Sequence, residues 1–364
     1  MNRISEWFRR NLADQQVVLL VAVLAAVSLA IYVTGRMLAP VFAALVIAYL
    51  LQGIVIRLER VGTPHLVAVI CTFAIFLTVL LFLIIGLLPL LINQLKQLFQ
   101  QAPQMLNEAQ KALIKLQSEY PTVISEEQVR DVISNVGGEV VGYARGLLSY
   151  SVASVVGLIT VVVYVILVPF MVFFLIRDKD KLIGWFSRFL PQDRQLTAQV
   201  WREVDDQIGN YIRGKVWEIF IVGGSSYGVY TVLDLDYALL LAFLTGTSVI
   251  IPYVGAAVVT FPVALVAFFQ FGLDAGFYYA LIAYGIIQAL DGNVLAPLLF
   301  SEAVDLHPVA IIVAIFFFGG LWGFWGVFFA IPLATVIQAV LRAWPAASRG
   351  GEPAPAAAAG ESPS

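Results

Sequence analysis

The chain has 364 residues, of which 60% are apolar and only 12% charged, with a formal net charge of −3. Ordinary globular domains carry about 25% charged residues, so a soluble protein of this length could not cover its surface. The near-neutral balance gives no electrostatic case for a nucleic-acid partner. One cysteine, Cys71, and two histidines, His65 and His307, exclude an internal disulfide and a multi-histidine metal site. These numbers describe an integral membrane protein, with the lipid bilayer as a partner.

Windows free of Asp, Glu, Lys and Arg locate the spans: Val17–Gly35, Met37–Ile56, Leu66–Leu95, Gly146–Ile176, Tyr237–Leu273 and Leu306–Leu341. A helix needs roughly 20 apolar residues to cross a bilayer, and the first four windows meet that length. Ile219–Leu233 and Ala275–Leu290 are shorter and extend through polar flanks. No ten-residue alternation suggests a barrel, so the expectation is an all-α polytopic fold of about eight helices and broken hairpins.

In chain order the domains are expected at 1–92 (three spans), 93–145 (an extracytoplasmic helical segment), 146–176 (the fourth span) and 177–216 (cytoplasmic or interfacial helices). A transport core at 217–342 and a disordered tail at 343–364 complete the chain. Arg3, Arg9 and Arg10 precede the first span, Arg57 and Arg60 follow the second, and eight Lys/Arg residues lie from Arg177 to Lys215. By the positive-inside rule these segments are cytoplasmic, as are both termini. The outer segment carries Leu95, Leu98, Phe99, Ala102, Leu106, Ala109, Leu113 and Leu116 at helical spacing. Ser125 with Gln128 resembles a capping box opening a second outer helix. Leu196, Val200, Val204, Ile208 and Ile212 form an amphipathic stripe at the inner interface.

From Trp217 to Leu341 there is no Lys or Arg, yet seven acids: Glu218, Asp234, Asp236, Asp274, Asp291, Glu302 and Asp305. Carboxylates at membrane depth are costly unless wetted, protonated or cation-bound. Asp234, Asp236 and Asp274 fall at span ends, where loop solvation explains them. Asp291 opens the helix-breaking run Asp291-Gly-Asn-Val-Leu-Ala-Pro297 and reads either as a pathway carboxylate or as an interfacial cap. Tyr237–Leu273 is broken by Ile251-Pro-Tyr-Val-Gly255, and Leu306–Leu341 by Gly319-Gly-Leu-Trp-Gly-Phe-Trp-Gly326. Proline removes a donor and glycine permits sharp turns. Span plus broken hairpin, repeated in opposite orientation, is a recurrent plan of secondary transporters. The candidate pathway residues are therefore Pro252, Gly255, Asp291, Asn293, Pro297, Gly319, Gly320 and Glu218. The G-x-x-x-G runs Gly224–Gly228 and Gly319–Gly323 read as packing contacts. No P-loop, zincin pair, Rossmann fingerprint or nucleophile motif occurs, so neither enzyme activity nor a cofactor is expected.

Tyr211-Ile-Arg-Gly214, Ile251-Pro-Tyr-Val-Gly255, Asp291-Gly-Asn-Val-Leu-Ala-Pro297, His307-Pro308, Gly319-Gly-Leu-Trp-Gly-Phe-Trp-Gly326 and Ile331-Pro-Leu-Ala334 occur in that order. The ordered set resembles the autoinducer-2 exporter family of bacterial inner-membrane proteins, in particular its PerM-type permeases. The resemblance implies a multi-pass, homo-oligomeric secondary permease moving a small polar solute or ion, with autoinducer-2-like export among the family's activities. A Na⁺(Li⁺)/H⁺ antiporter is the alternative within transport, and a non-transporting scaffold for envelope proteins the alternative outside it. One departure is Ala256, where relatives often carry proline after the Ile-Pro-Tyr-Val-Gly run.

Overall fold

The computed structural model describes residues 38–119, 155–188, 195–300, 306–335 and 337–338. The first span, the Ser125 capping box and the C-terminal tail lie outside these residues, as do the side chains of Leu106, Ala109, Leu113, Leu116, Leu196, Val200 and Val204. Every regular element among the described residues is helical. Four helices are long and apolar enough to cross a bilayer: Ala39–Arg60, His65–Met105, Val254–Phe271 and Ala275–Phe300. Val161–Arg177 with Lys179–Trp185, bent by 82°, makes a fifth if counted as one span. The protein is an all-α, multi-pass membrane protein.

The chain divides into two compact units. Pro40–Leu182 with Ile212–Ser301 forms the larger. Its first layer comprises α1 (Ala39–Arg60), α2 (His65–Phe82) and α4 (Val155–Arg177). Ala44, Ala48, Leu51 and Val55 of α1 pack with Ala68 and Val69 of α2 and with Val168, Val172 and Ile176 of α4. Small residues on α1 let these backbones approach without relying on the hydrophobic effect, which lipid cannot supply. The opposite faces stay greasy and open: Ile75 is 53% exposed, Phe82 67% and Phe170 60%. Such surface is stable only against lipid or another apolar surface. His65 ties this layer's polar end together, with one ring nitrogen 2.6 Å from Glu59 Oε1 and the other 3.1 Å from the Arg177 carbonyl.

α2 does not stop where polarity begins. It passes through a π-turn at Leu83–Leu87 into α3 (Leu88–Glu119). The boundary expected at residue 93 thus falls inside a continuous helix, because Asn93 and the glutamines after it change the helix's surroundings without breaking it. A second π-turn, Asp291–Leu295, joins α9 (Ala275–Leu290) to α10 (Ala296–Phe300). The expected break at Asp291–Pro297 is therefore a widened turn.

The two π-turns share a cause. A proline ring clashes with the carbonyl four residues before it. For Pro89 that carbonyl belongs to Ile85, and for Pro297 to Asn293, each the middle residue of its π-turn. In each, the closing amide reaches back five residues, Leu88 to Leu83 and Ala296 to Asp291, giving the carbonyl room. Pro103, Pro169 and Pro262 sit inside helices with no π-turn before them. What distinguishes the first pair is a glycine within the widened turn, Gly86 and Gly292.

The second layer of this unit contains the C-terminal part of α6 (Gln195–Val232), then α7 (Ala238–Ser248), α8 (Val254–Phe271) and α9. Here the amphipathic stripe and the following apolar stretch, expected as separate elements, form one 38-residue helix. Tyr230, Leu241, Val263, Val266, Ala267 and Ala280 are the buried centre. Gly223 and Gly246 set the α6–α7 approach: a Cβ on Gly246 would lie 2.8 Å from the Gly223 Cα. Gly224 and Gly228, the expected packing pair, have open space around them instead. Asp234, Asp236 and Asp274 are exposed at turns, as their position at span ends implies.

The smaller unit comprises Met1–Ala39, Ile183–Tyr211 and Glu302–Ser364. Its described core is α11 (Pro308–Trp322) folded back on α12 (Phe324–Phe328). His307 caps α11 by accepting from the Val309 amide, and Pro308 takes the first helical position, where a missing donor costs nothing.

Candidate functional site: a buried charge cluster beside a broken hairpin

α6 carries two charged residues one turn apart that are almost wholly buried, Lys215 and Glu218, each 3% exposed. Lys215 Nζ donates to Glu218 Oε2 at 2.6 Å and to the Val249 carbonyl at 2.7 Å. Its ammonium also lies 5.1 Å from the centroid of the Phe300 ring. The ring approaches because residue 214 has no side chain: a Cβ there would be 2.6 Å from Phe300 Cε1. Isolated ions in an apolar interior cost several kcal/mol each. This pair survives because carboxylate, carbonyl and aromatic face together replace water around the ammonium.

The Val249 carbonyl comes from the break between α7 and α8. α7 ends at Ser248 and α8 starts at Val254, with Tyr253 in the left-handed region at φ 62°. Proline at 252 cannot donate, and the turn is closed by Ile251 N–H to the Ser248 carbonyl (3.0 Å) and Gly255 N–H to the Ile251 carbonyl (2.8 Å). Gly255 permits the reversal, since a Cβ there would run into the Ser248 carbonyl. The carbonyl freed at Val249 is held by the protein's own lysine.

Asp291 opens the second π-turn and interacts electrostatically with both Lys215 and Glu218. Its Oδ1 is buried with no hydrogen-bonding partner among the described residues, and so is Nε2 of Gln288, one turn earlier. Asn293 is not recruited: its amide donates to the Ala289 carbonyl at 2.8 Å, and the side chain is exposed. Pro297 is exposed and shapes the π-turn rather than lining the cluster. Of the expected site residues, the structure brings together Glu218 and Asp291, with Pro252 and Gly255 forming the adjacent turn.

Gly319 and Gly320 belong to the other unit and lie inside α11, so the reversal occurs three residues later, at Gly323 with φ 60°. The two hairpins, each taken by itself, use the same device. A Cβ on Gly326 would meet the Phe318 carbonyl, as one on Gly255 would meet that of Ser248. Each second arm therefore begins with a glycine pressed against the end of the first.

A separate cavity of about 220 Å³ opens where α3 meets the α6–α7 turn, lined by Gln101, Gln104, Glu108, Asp236 and Gln270 among others. Gln94 of α3 accepts from the Leu240 amide at 2.8 Å, serving as the cap that Tyr237 does not supply. Gln270 bridges the same turn, accepting from the Asp236 amide (2.8 Å) and donating to the Asp234 carbonyl (2.6 Å).

Residues 19–346 match the sequence profile described as AI-2E family transporter. The chain belongs to that family. It is 43% identical over 345 residues to "Putative permease PerM" of Escherichia coli, covering 95% of this chain and 98% of that protein. It is 29% identical over 194 residues to "Putative transport protein YueF" of Bacillus subtilis, about half of either chain (53% and 52%). With "AI-2 transport protein TqsA" of E. coli it shares 25% identity over 175 residues, 47% of this chain and 49% of that one. Family membership and the apolar helices make it a membrane transport protein. Lys215, absent from the sequence-based candidates, is the buried cation of this cluster.

Proposed function

We propose that this chain is a secondary permease that moves a small polar solute or ion through the bilayer, with Glu218 and Asp291 as its pathway carboxylates. The observation that carries the reading is the Lys215–Glu218–Asp291 cluster, in which Lys215 and Glu218 are buried and Asp291 is half-buried with a buried Oδ1, tied to the broken hairpin at Val249. Three ionisable groups at membrane depth are expensive and occur where charge or polar cargo must pass. A broken hairpin supplies an element that can rearrange around them. Permease and transport names among the relatives support the same class; autoinducer-2 export is suggested by TqsA's name. We place the protein in the bacterial inner membrane, as a homo-oligomer with both termini cytoplasmic, in keeping with the basic segments around Arg57 and Arg177.

The test is flux in reconstituted vesicles. Asp291→Asn abolishes gradient-driven uptake while leaving a monodisperse, helical protein. Wild-type rates in the variant overturn the assignment of Asp291.

A further inference from the structure

The polar end of the first layer carries a basic rim. Arg57 and Arg60 close α1, Arg177 closes α4, and Lys179 opens the short helix that departs at 82°. His65 draws these ends together, because its two ring nitrogens meet Glu59 and the Arg177 carbonyl. Two of the rim's acids are already engaged: Glu59 by His65, and Asp178 by Lys181 at 2.9 Å. Counting Arg57, Arg60, Arg177, Lys179 and Lys181 against Glu59, Asp178 and Asp180, two positive charges remain in excess. Arg57 and Arg60 are exposed, with no acceptor among the described residues. The Arg177 guanidinium is exposed as well, 6.0 Å from the centroid of the Phe173 ring.

The surface that adjoins these cations is greasy. On α4, Ile166, Phe170 and Phe174 are exposed at four-residue spacing, a single stripe of the helix that leads to Arg177. The Phe170 and Phe174 rings lie 4.9 Å apart. Leu66, Val67 and Ile70 add exposed apolar surface at the start of α2. Guanidinium groups recognise phosphate, and a phosphate joined to hydrocarbon chains matches cations that border an apolar stripe. We propose that Arg57, Arg60 and Arg177 bind the headgroup of an anionic phospholipid whose acyl chains lie along the Ile166–Phe174 stripe. The basic rim assigns this end to the cytoplasmic leaflet, where anionic lipids attract such clusters. The site requires that these helices span the bilayer and is independent of the permease reading. A lipid held there joins α1 to α4 at the end that His65 also ties.

The experiment uses full-length protein in nonionic detergent, titrated with phosphatidylglycerol or phosphatidylcholine of the same chains and read by native mass spectrometry. Phosphatidylglycerol binds at least fivefold more tightly than phosphatidylcholine, and Arg57→Gln/Arg60→Gln/Arg177→Gln removes that preference. Lys96→Gln, at the other end of the continuous α2–α3 helix, leaves it unchanged. In wild type, phosphatidylglycerol with a diazirine in its acyl chain cross-links to the peptide containing Ile166–Phe174 at least threefold more than the matching phosphatidylcholine does. Equal affinity for the two lipids overturns the proposal, and so does equal cross-linking at this peptide, whether or not the variant folds. A folded triple variant that keeps the preference also overturns it. Displacement of the lipid by an equal concentration of inorganic phosphate marks a soluble-anion site and removes the lipid assignment.

Discussion

Removing the lysine charge should cost far more than removing either neighbour, and the structure sets the size. Both side chains of the Lys215–Glu218 pair are 4% exposed. Deleting one partner of a buried pair typically costs about 3–5 kcal/mol, because the other charge is stranded. Lys215→Met strands two carboxylates, leaving a net −2, and also strips the Val249 carbonyl of its donor. Glu218→Leu leaves Lys215 facing Asp291, a net charge of zero, so its loss should fall near the lower end of that range or below it. In Lys215→Met/Glu218→Leu the pair itself is gone and one carboxylate, Asp291, is left without its cation, a net −1. The remaining penalties are that carboxylate and the orphaned carbonyl, the latter about 1–3 kcal/mol, offset by better apolar packing. The assay is reversible unfolding in mixed micelles, run as a double-mutant cycle at fixed salt. A coupling energy of at least ~2 kcal/mol is expected, with Lys215→Met the worst of the three variants. A Lys215→Met loss under ~1 kcal/mol, or a double mutant as unstable as that single, would refute the account of a mutually compensated pair.

Further outcomes test the scaffold around the cluster. Gly255→Ala and Gly326→Ala each drive a Cβ into a carbonyl of the preceding arm and should each cost about 2 kcal/mol or more, measured by the same unfolding. Gly224→Ala, in open space, should be neutral or stabilising. Gln94→Ala removes the side-chain cap that α7 receives from α3; a loss of about 1 kcal/mol is expected, with faster hydrogen exchange at Leu240. Single cysteines at Glu108 and Asp236 should react with an impermeant maleimide from one side of the bilayer, and cysteines at Arg60 and Lys179 from the other. His65 to Gln94 spans roughly 45 Å of helix at 1.5 Å per residue, more than the hydrocarbon thickness; labelling of all four from one side rejects this arrangement.

How far the sequence revealed the fold depended on which residues impose geometry. The Ile251-Pro-Tyr-Val-Gly255 reversal was legible because proline and glycine constrain the backbone directly. The π-turns were not, since glycine before proline reads equally well as a break. Only the packed helix shows that widening a turn costs less than ending it at Asp291. The continuity of α3 through Asn93 was not legible for a related reason: polarity reports what a helix faces, not where it stops. Among the candidates, Glu218 and Asp291 stood out as carboxylates in a Lys- and Arg-free stretch. Lys215 did not, because it closes a run of eight basic residues and was counted with the cytoplasmic charges. Its i, i+3 spacing to Glu218 was the available signal, and it gains meaning only once Val249, thirty-four residues on, is known to bend back to it.

A helix with a five-residue turn contains one residue more than its length requires. Were that surplus to slide along the helix by a single step, the residue it passed would swivel by about 100° while both flanks kept their places. The prolines at 89 and 297 act as chocks, fixing where the surplus rests. In the helix that bears Asp291, the chock sits six residues beyond the carboxylate, so the direction in which that acid points is set by a ring that never touches it.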